Sequence, residues 1–410
     1  MFSNAGLWLS GLLVSASVLL GACKSDTDAT RASASGAPAP PAEASAPIKV
    51  GLLAPFSGPF ANLGAQIEGG ARAYLEAHGA SIDGRKVELI VRDTTGMAPD
   101  VAKRLAQGLV VRDKVDFLAG FALTPNAMAV APIATEARTP MVIMNAATSS
   151  LTTKSPYIVR LSLTLPQVTA PLATWAARNG IRRANTLVSD YAPGADAEAQ
   201  FVKTFKAAGG EILDSVRVPV NNPDFAPFIQ RIKDARPDAV FAFLPAGSQG
   251  IAFMKAFRER GLDQAGIKVI ATGDVTEDQL LDAMGEQALG VVTTHHYSAA
   301  HESPENATFK AAFAKVAPQS TRPNFMAVGA YDGMAAIAAV VHALGGQLDG
   351  DRAMQAFKGL ELESPRGHIR IDPETRDIIQ TVYVRKVEKK ADGYYNVEFE
   401  QFAEQRDPGK

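Results

Sequence analysis

From Ile48 onward the chain alternates short runs that are apolar along their whole length with amphipathic runs of helical period. No other feature restricts the possible folds as much. IKVGLLAPF, KVELIVRDT, VDFLAGF and PMVIMNAA read as strands, separated by the helical runs AQIEGGARAYLEAHG, APDVAKRLAQGLVV and TPNAMAVAPIATEA. Strands apolar on both faces need cover on both faces, and a helix between each pair of successive strands supplies it when the strands run parallel. After SPYIVRLSLT the rhythm restarts, with ANTLVSD, EILDSVRVPV, DAVFAFLP, IKVIATGDV and GVVTTHHYS as strands and helices between them. The expected fold is α/β, two doubly wound lobes with mainly parallel sheets. The stretch GHIRIDPETRDIIQTVYVRKVEKKADGYYNVEF differs in kind and reads as strands joined by Asp-containing turns. Crossings near Leu161–Leu165, Ser298–Ser303 and Ser364–Gly367 would form a multi-strand hinge. They place 48–163 plus 300–365 in lobe 1 and 164–299 plus 366–410 in lobe 2.

Residues 1–22 read as a signal peptide. Leu7–Leu20 is apolar but shorter than the roughly 20 residues a membrane-spanning helix needs, and it ends in Gly21-Ala22. MFSNAG has no Lys or Arg, so the positive charge ahead of the apolar run is the terminal amine alone. Leu20-Gly21-Ala22-Cys23 looks like a bacterial lipobox, in which Cys23 is acylated and becomes the first residue of the mature protein. It is the only cysteine, so no disulfide is available and the exported domain stands on its core. Residues 23–47 are rich in Ala, Ser and Pro with almost no bulky apolar side chain, the composition of a disordered tether. Together these features place the protein in the periplasm or at the cell surface, anchored to a membrane by lipid. The formal net charge is −2, which offers no basic footprint for nucleic acid. Small molecules are the expected partners, and the protein is expected to be monomeric.

In open α/β sheets, ligands bind beyond the carboxyl ends of the strands, where helix amino-termini aim free N–H groups outward. Thr124-Pro125 follows the VDFLAGF strand. Thr suits an N-cap and Pro the first helical turn, so the Thr124 hydroxyl and the N–H groups of Asn126 and Ala127 could cradle an anion. The PMVIMNAA strand leads into Thr148 and Ser149, which add hydroxyl donors among small side chains. Both threonines could equally be ordinary caps. His295 and His296 are adjacent, and neighbours in a strand point to opposite faces. They make a poor metal pair, although one of them could line a cleft. Arg160, on a strand entering a crossover, reads as a structural ion-pair partner. GxGxxG after the first strand, GxxxxGK[ST], GxSxG and HExxH are all absent. No enzyme activity, metal or cofactor is expected.

IKVGLLAPFSGPFANLG, the FLAG strand with its loop, TPMVIMNAATSSLT, VSDYAPGAD and NFMAVGAYDG, in that order, resemble the leucine/isoleucine/valine-type substrate-binding proteins of ABC transporters. The resemblance covers Ile48 to Phe402. It implies an importer's binding component that closes like a clam on a small ligand and hands it to ABC permease subunits. By the same resemblance the ligand carboxylate would meet Leu123, Thr124, Ala146 and Thr148. Leu63 would add a contact from the first loop, and Tyr191, Pro193, Pro245, Ala246 and Asp274 would close from the second lobe. An acidic residue at Asp274 matches the partner of an α-ammonium in amino-acid binders. Leu63 and Pro193 stand where those binders often carry aromatic residues, and FLPAG, ATGD and HHYSAAHESPEN are closer to the family's aromatic-carboxylate binders. The ligand is thus expected to be a branched-chain or other amino acid, or an aromatic acid. A sensor acting through a separate signalling partner shares the fold. A sensor would be expected to continue into a membrane helix and an output domain, whereas this chain ends at Lys410, soon after its last strands.

Overall fold

The computed structural model describes residues 46–317 and 321–410. The signal peptide, Cys23 and all of the tether except Ala46 and Pro47 lie outside the described residues.

Two sheets carry the fold. In the first lobe β1 (Ile48–Ala54) leads into α1 (Ala61–His78). It is followed by the hairpin β2 (Ser81–Ile82) and β3 (Arg85–Asp93), then α2 (Pro99–Gly108), β4 (Phe117–Gly120), α3 (Thr124–Ala137), β5 (Met141–Ile143) and β6 (Ile158–Arg160). These strands form a sheet in the order β2-β3-β1-β4-β5-β6, parallel except at β2. The β2–β3 hairpin was not legible as apolar periodicity. Its signal is Asp83-Gly84, both at positive φ (50° and 79°), the pair a tight two-residue turn requires.

The second lobe continues through α4 (Leu165–Arg178), β7 (Arg183–Ser189), α5 (Ala192–Ala207), β8 (Glu211–Val218), α6 (Ala226–Ala235), β9 (Ala239–Phe243), α7 (Ser248–Glu259), β10 (Lys268–Thr272), α8 (Leu281–Met284) and β11 (Val292–His295). Strands β8-β7-β9-β10-β11 are parallel. The chain then returns to the first lobe for α9 (Pro304–Val316), α10 (Phe325–Ala343) and α11 (Gly350–Phe357). It ends in β12 (Glu361–Ser364), β13 (Gly367–Ile371), β14 (Ile378–Lys390) and β15 (Gly393–Gln405), which pair antiparallel and extend the second sheet from β11. Strands β12 and β13 bridge the lobes. They hydrogen-bond into the second sheet, while Ile369 and Ile371 pack in the same cluster as Met334, Ile337 and Val341 of α10.

Helix α10 is long and apolar enough to cross a membrane by composition alone, yet most of it is buried. Its role is core. Gly70 of α1 allows the contact: a Cβ there would stand 2.0 Å from the Ala327 carbonyl oxygen, so only glycine lets the two helices pack this closely. The hinge is braced by buried cations. Arg366 meets Asp332 at 2.8 Å and donates to Ser162 O and Gln380 Oε1, and Arg160 meets Asp377 at 3.2 Å.

Candidate functional site

The carboxyl ends of both parallel sheets face a cleft between the lobes, and eight of the ten expected ligand residues line it: Leu63, Leu123, Thr124, Tyr191, Pro193, Pro245, Ala246 and Asp274. On the first-lobe side, the turn after β4 is forced by Gly120 (φ 100°), where a Cβ would lie 2.5 Å from the Leu53 carbonyl oxygen, and by Phe121 (φ 63°). A bulky residue at positive φ is strained. Burial of the Phe121 ring and its N–H···O bond to Leu53 (2.8 Å) hold it there, and Ala122, Leu123 and Thr124 are thereby turned into the cleft.

The N-cap of α3 is Leu123, one residue earlier than the sequence suggested, and Thr124 is the first helical residue. The Ala127 N–H is committed to the Leu123 carbonyl (3.2 Å), so it cannot serve an anion. Thr124 is 2% exposed, and its hydroxyl caps nothing and has no hydrogen-bond partner among the described residues. A buried hydroxyl left so costs stability unless something else binds it. Ala146 and Thr148 are buried beside the cleft but not among its lining, which is formed instead by their neighbours Asn145 and Ala147. Strand-like alternation explains the shift, since adjacent residues point opposite ways. The Thr148 hydroxyl is likewise buried and without a partner among the described residues. Its carbonyl is held by Arg160 Nη2 at 2.7 Å, which makes Arg160 a structural brace under this loop.

The second-lobe side is aromatic and acidic. Tyr191, the N-cap of α5, stacks on Phe243 with centroids 6.0 Å apart and planes 20° apart. Burial, with the Asp274 charge adding, holds the Tyr191 hydroxyl in its neutral form. Asp274 follows β10. Its Oδ2 accepts from the Thr272 hydroxyl at 2.9 Å and lies 3.6 Å from His295 Nε2. Burial pushes His295 down to about 4 and His296 well below its usual value, so both rings are neutral near pH 7. Neither lines the cleft. His295 packs against Phe325 at 4.2 Å, and the two His rings lie 4.5 Å apart because His296 falls beyond the end of β11, where strand alternation no longer separates them. Phe243, Leu165, Ala122, Asn145 and Ala147 complete the lining. Phe243 and Leu165 are apolar residues that sequence reasoning could not separate from ordinary core.

The cavity between these walls is only about 20 Å³, room for about one water and too small for a benzene ring. A larger open groove of about 690 Å³, on the outside of the first lobe between α1, β2, α9 and α10, contains none of the expected residues.

A family model for periplasmic binding proteins matches residues 47–393. The chain belongs to the periplasmic binding protein family. The Leu/Ile/Val-binding protein homolog 6 of Brucella melitensis biotype 1 is 47% identical to it over 363 residues, 88% of this chain and 93% of the relative. Among solved structures, a solute-binding protein of an ABC transporter from Rhodopseudomonas palustris BisB5, in complex with 3,4-dihydroxybenzoic acid, is 53% identical with a TM-score of 0.85, covering 88% of this chain and 99% of that one. An R. palustris solute-binding protein in complex with 4-hydroxybenzoate is 45% identical with a TM-score of 0.86, covering 88% and 98%. This binding protein is accordingly the extracytoplasmic substrate-binding component of an ABC importer, binding a small molecule and working with permease subunits. The doubly wound, two-sheet fold expected from the strand–helix rhythm is the fold of these neighbours.

Proposed function

We propose that the cleft captures an aromatic carboxylate and that capture closes the lobes, 48–163 plus 300–365 against 164–299 plus 366–410. The observation that carries this reading is the Thr124 hydroxyl, buried without a partner at the head of a helix and facing a wall of Tyr191, Phe243, Pro193 and Pro245. A carboxylate takes the hydroxyl and the free N–H groups of the first helical turn, and an aromatic ring lies on the apolar wall. Asp274 then accepts a hydrogen bond from a ring hydroxyl, as a buried carboxylate prefers a donor to a bare hydrocarbon edge. The bound acids of the two R. palustris relatives have this combination of groups. Calorimetric titration with 4-hydroxybenzoate, 3,4-dihydroxybenzoate, benzoate and leucine tests it. The hydroxylated acids are expected to bind most tightly, and leucine binding more tightly than all three aromatic acids would overturn the reading.

Cys23 is proposed as the lipid anchor, on the Leu20-Gly21-Ala22-Cys23 sequence and the absence of any other cysteine. The protein is proposed to act as a monomer on its tether. Cys23→Ser should leave folding intact and abolish incorporation of labelled palmitate, and equal labelling of the variant would remove the anchor.

A further inference from the structure

The two lobes are also joined at a place that the ligand does not reach. The loop after β10 carries three acids, Asp274, Glu277 and Asp278, and only Asp274 lines the cleft. Glu277 is 1% exposed and points the other way, into groups of the first lobe. Asn324, the N-cap of α10, donates its side-chain amide to Glu277 Oε2, and the Asn62 amide at the head of α1 lies 3.5 Å from Oε1. Arg322 is held to the first lobe through its backbone, with Gln66 Nε2 donating to its carbonyl at 3.0 Å. Its guanidinium reaches into the second lobe, donating to Tyr394 O (2.7 Å) and Asp278 O (3.2 Å), pairing with Asp282 (3.0 Å) and lying 4.1 Å from the centre of the Tyr395 ring. The contacts of Glu277 with Asn324 and Asn62 and those of the Arg322 guanidinium all join one lobe to the other.

We propose that Glu277 and Arg322 form a latch that holds the closed form and so sets ligand affinity without touching ligand. They are positioning residues for the capture step, and the proposal rests on the reading that the protein closes on its ligand.

The latch also makes closure sensitive to pH. Burial pushes Glu277 up to about 7, the Asn324 hydrogen bond opposes the shift, and the charges of Asp278 and Asp274 add to it. Exposed to water in an open form, a Glu titrates near 4.3. Between these values closure takes up a proton, so affinity is highest on the acid side, falls as pH rises toward 7 and is flat above it. Asn62 and Asn324 do not titrate, and His295, beside Asp274, stays neutral above about 4. Burial raises the Asp278 carboxyl too, with Arg385 at 3.9 Å opposing the shift, and the Glu277→Gln variant separates the part that Glu277 plays.

The test is titration of 4-hydroxybenzoate into the wild type, Glu277→Gln and Arg322→Ala from pH 5.5 to 8.5, with small-angle scattering of each protein alone and with ligand. Arg322→Ala is expected to weaken binding about tenfold with little change in the melting temperature of the empty protein. Glu277→Gln, a fixed neutral analogue, is expected to remove the fall in affinity between pH 5.5 and 7. A residue that serves only the fold would lower the melting temperature and leave the pH profile alone. Wild-type affinity and an unchanged pH profile in both variants would overturn the latch. If the wild type fails to bind 4-hydroxybenzoate, the aromatic-acid reading falls and the latch is still decided by scattering. Arg322→Ala alone in solution should then be the more expanded protein, and equal radii of gyration would overturn the latch as well.

Discussion

On the first lobe's side of the cleft Leu63 stands just ahead of Gly64, and on the second lobe's side Pro193 stands just ahead of Gly194. A Cβ on Gly64 would lie 2.0 Å from the Pro55 carbonyl oxygen, and one on Gly194 would lie 1.9 Å from that of Ser189. Each lobe thus uses a glycine in the first turn of the helix after its first strand, so that the helix head packs onto the strand end and the residue before it enters the cleft. The scaffolds match, but the chemistry laid on them does not. The first wall offers donors, the Thr124 hydroxyl and a helix amino-terminus, and no lining acid. The second offers aromatic surface and one acceptor, Asp274. A ligand with an anionic end and a hydroxyl-bearing aromatic end is complementary to both walls only when the walls meet. Affinity therefore belongs to the closed form, and either wall alone should bind poorly.

The scaffold half of this comparison breaks with the largest effect. Gly194→Ala pushes a methyl into a backbone carbonyl that cannot swing aside, so thermal unfolding should show a loss of about 4 kcal/mol or more, at the high end for a single substitution. An unchanged melting temperature would mean that the crossover is looser than the matched glycines imply.

The donor wall comes next. Thr124→Val keeps the shape and removes the hydroxyl, and a hydrogen bond to a charged group is worth about 1.5–3 kcal/mol, or roughly ten- to a hundredfold in affinity for 4-hydroxybenzoate. The melting temperature of the empty protein should hold or rise, because the lost hydroxyl had no partner there. Thr148→Val is the control on the same wall. Its hydroxyl is equally buried but outside the lining, so binding should stay within about twofold. If the two variants weaken binding equally, the lobes close in a different register from the one described.

The acceptor wall gives the smallest change and the sharpest division between ligand classes. Asp274→Asn should cost 4-hydroxybenzoate less than about tenfold, since an amide oxygen still accepts a hydrogen bond. Benzoate should bind as well or better once a negative charge facing its own has gone. An amino acid would lose most of its affinity, its ammonium having lost the opposing charge. Benzoate and leucine weakening alike would contradict the assignment of the ring edge to this wall.

The doubly wound rhythm was legible because parallel strands buried on both faces carry continuous apolar runs, a local signal that survives in one dimension. The hairpin at β2 was missed because two residues are too few for a period. The loop at Thr124 could be located in the sequence by the rule that ligands sit beyond strand carboxyl ends, while Leu63, Tyr191, Pro193 and Asp274 were legible only through the family resemblance; all five line the cleft. Which residue of an adjacent pair faces the cleft was another matter. Asn145 and Ala147 replaced Ala146 and Thr148 in the lining because side-chain direction past a strand end depends on how the loop is braced, here by Arg160 on the Thr148 carbonyl.

The sequence by itself determined the order of the main strands and helices and the type of chemistry each loop could present, since these follow from short-range period and residue type. The tertiary structure alone decided that the His pair is sunk beside Phe325 rather than lining the cleft, that Glu277 meets Asn324 and Arg322 meets the Asp278 carbonyl across the lobes, and that Thr124 is left without a partner among the described residues. The first two are relations between residues far apart in the chain that only the folded arrangement brings together. Nothing in the local spacing of those residues records them.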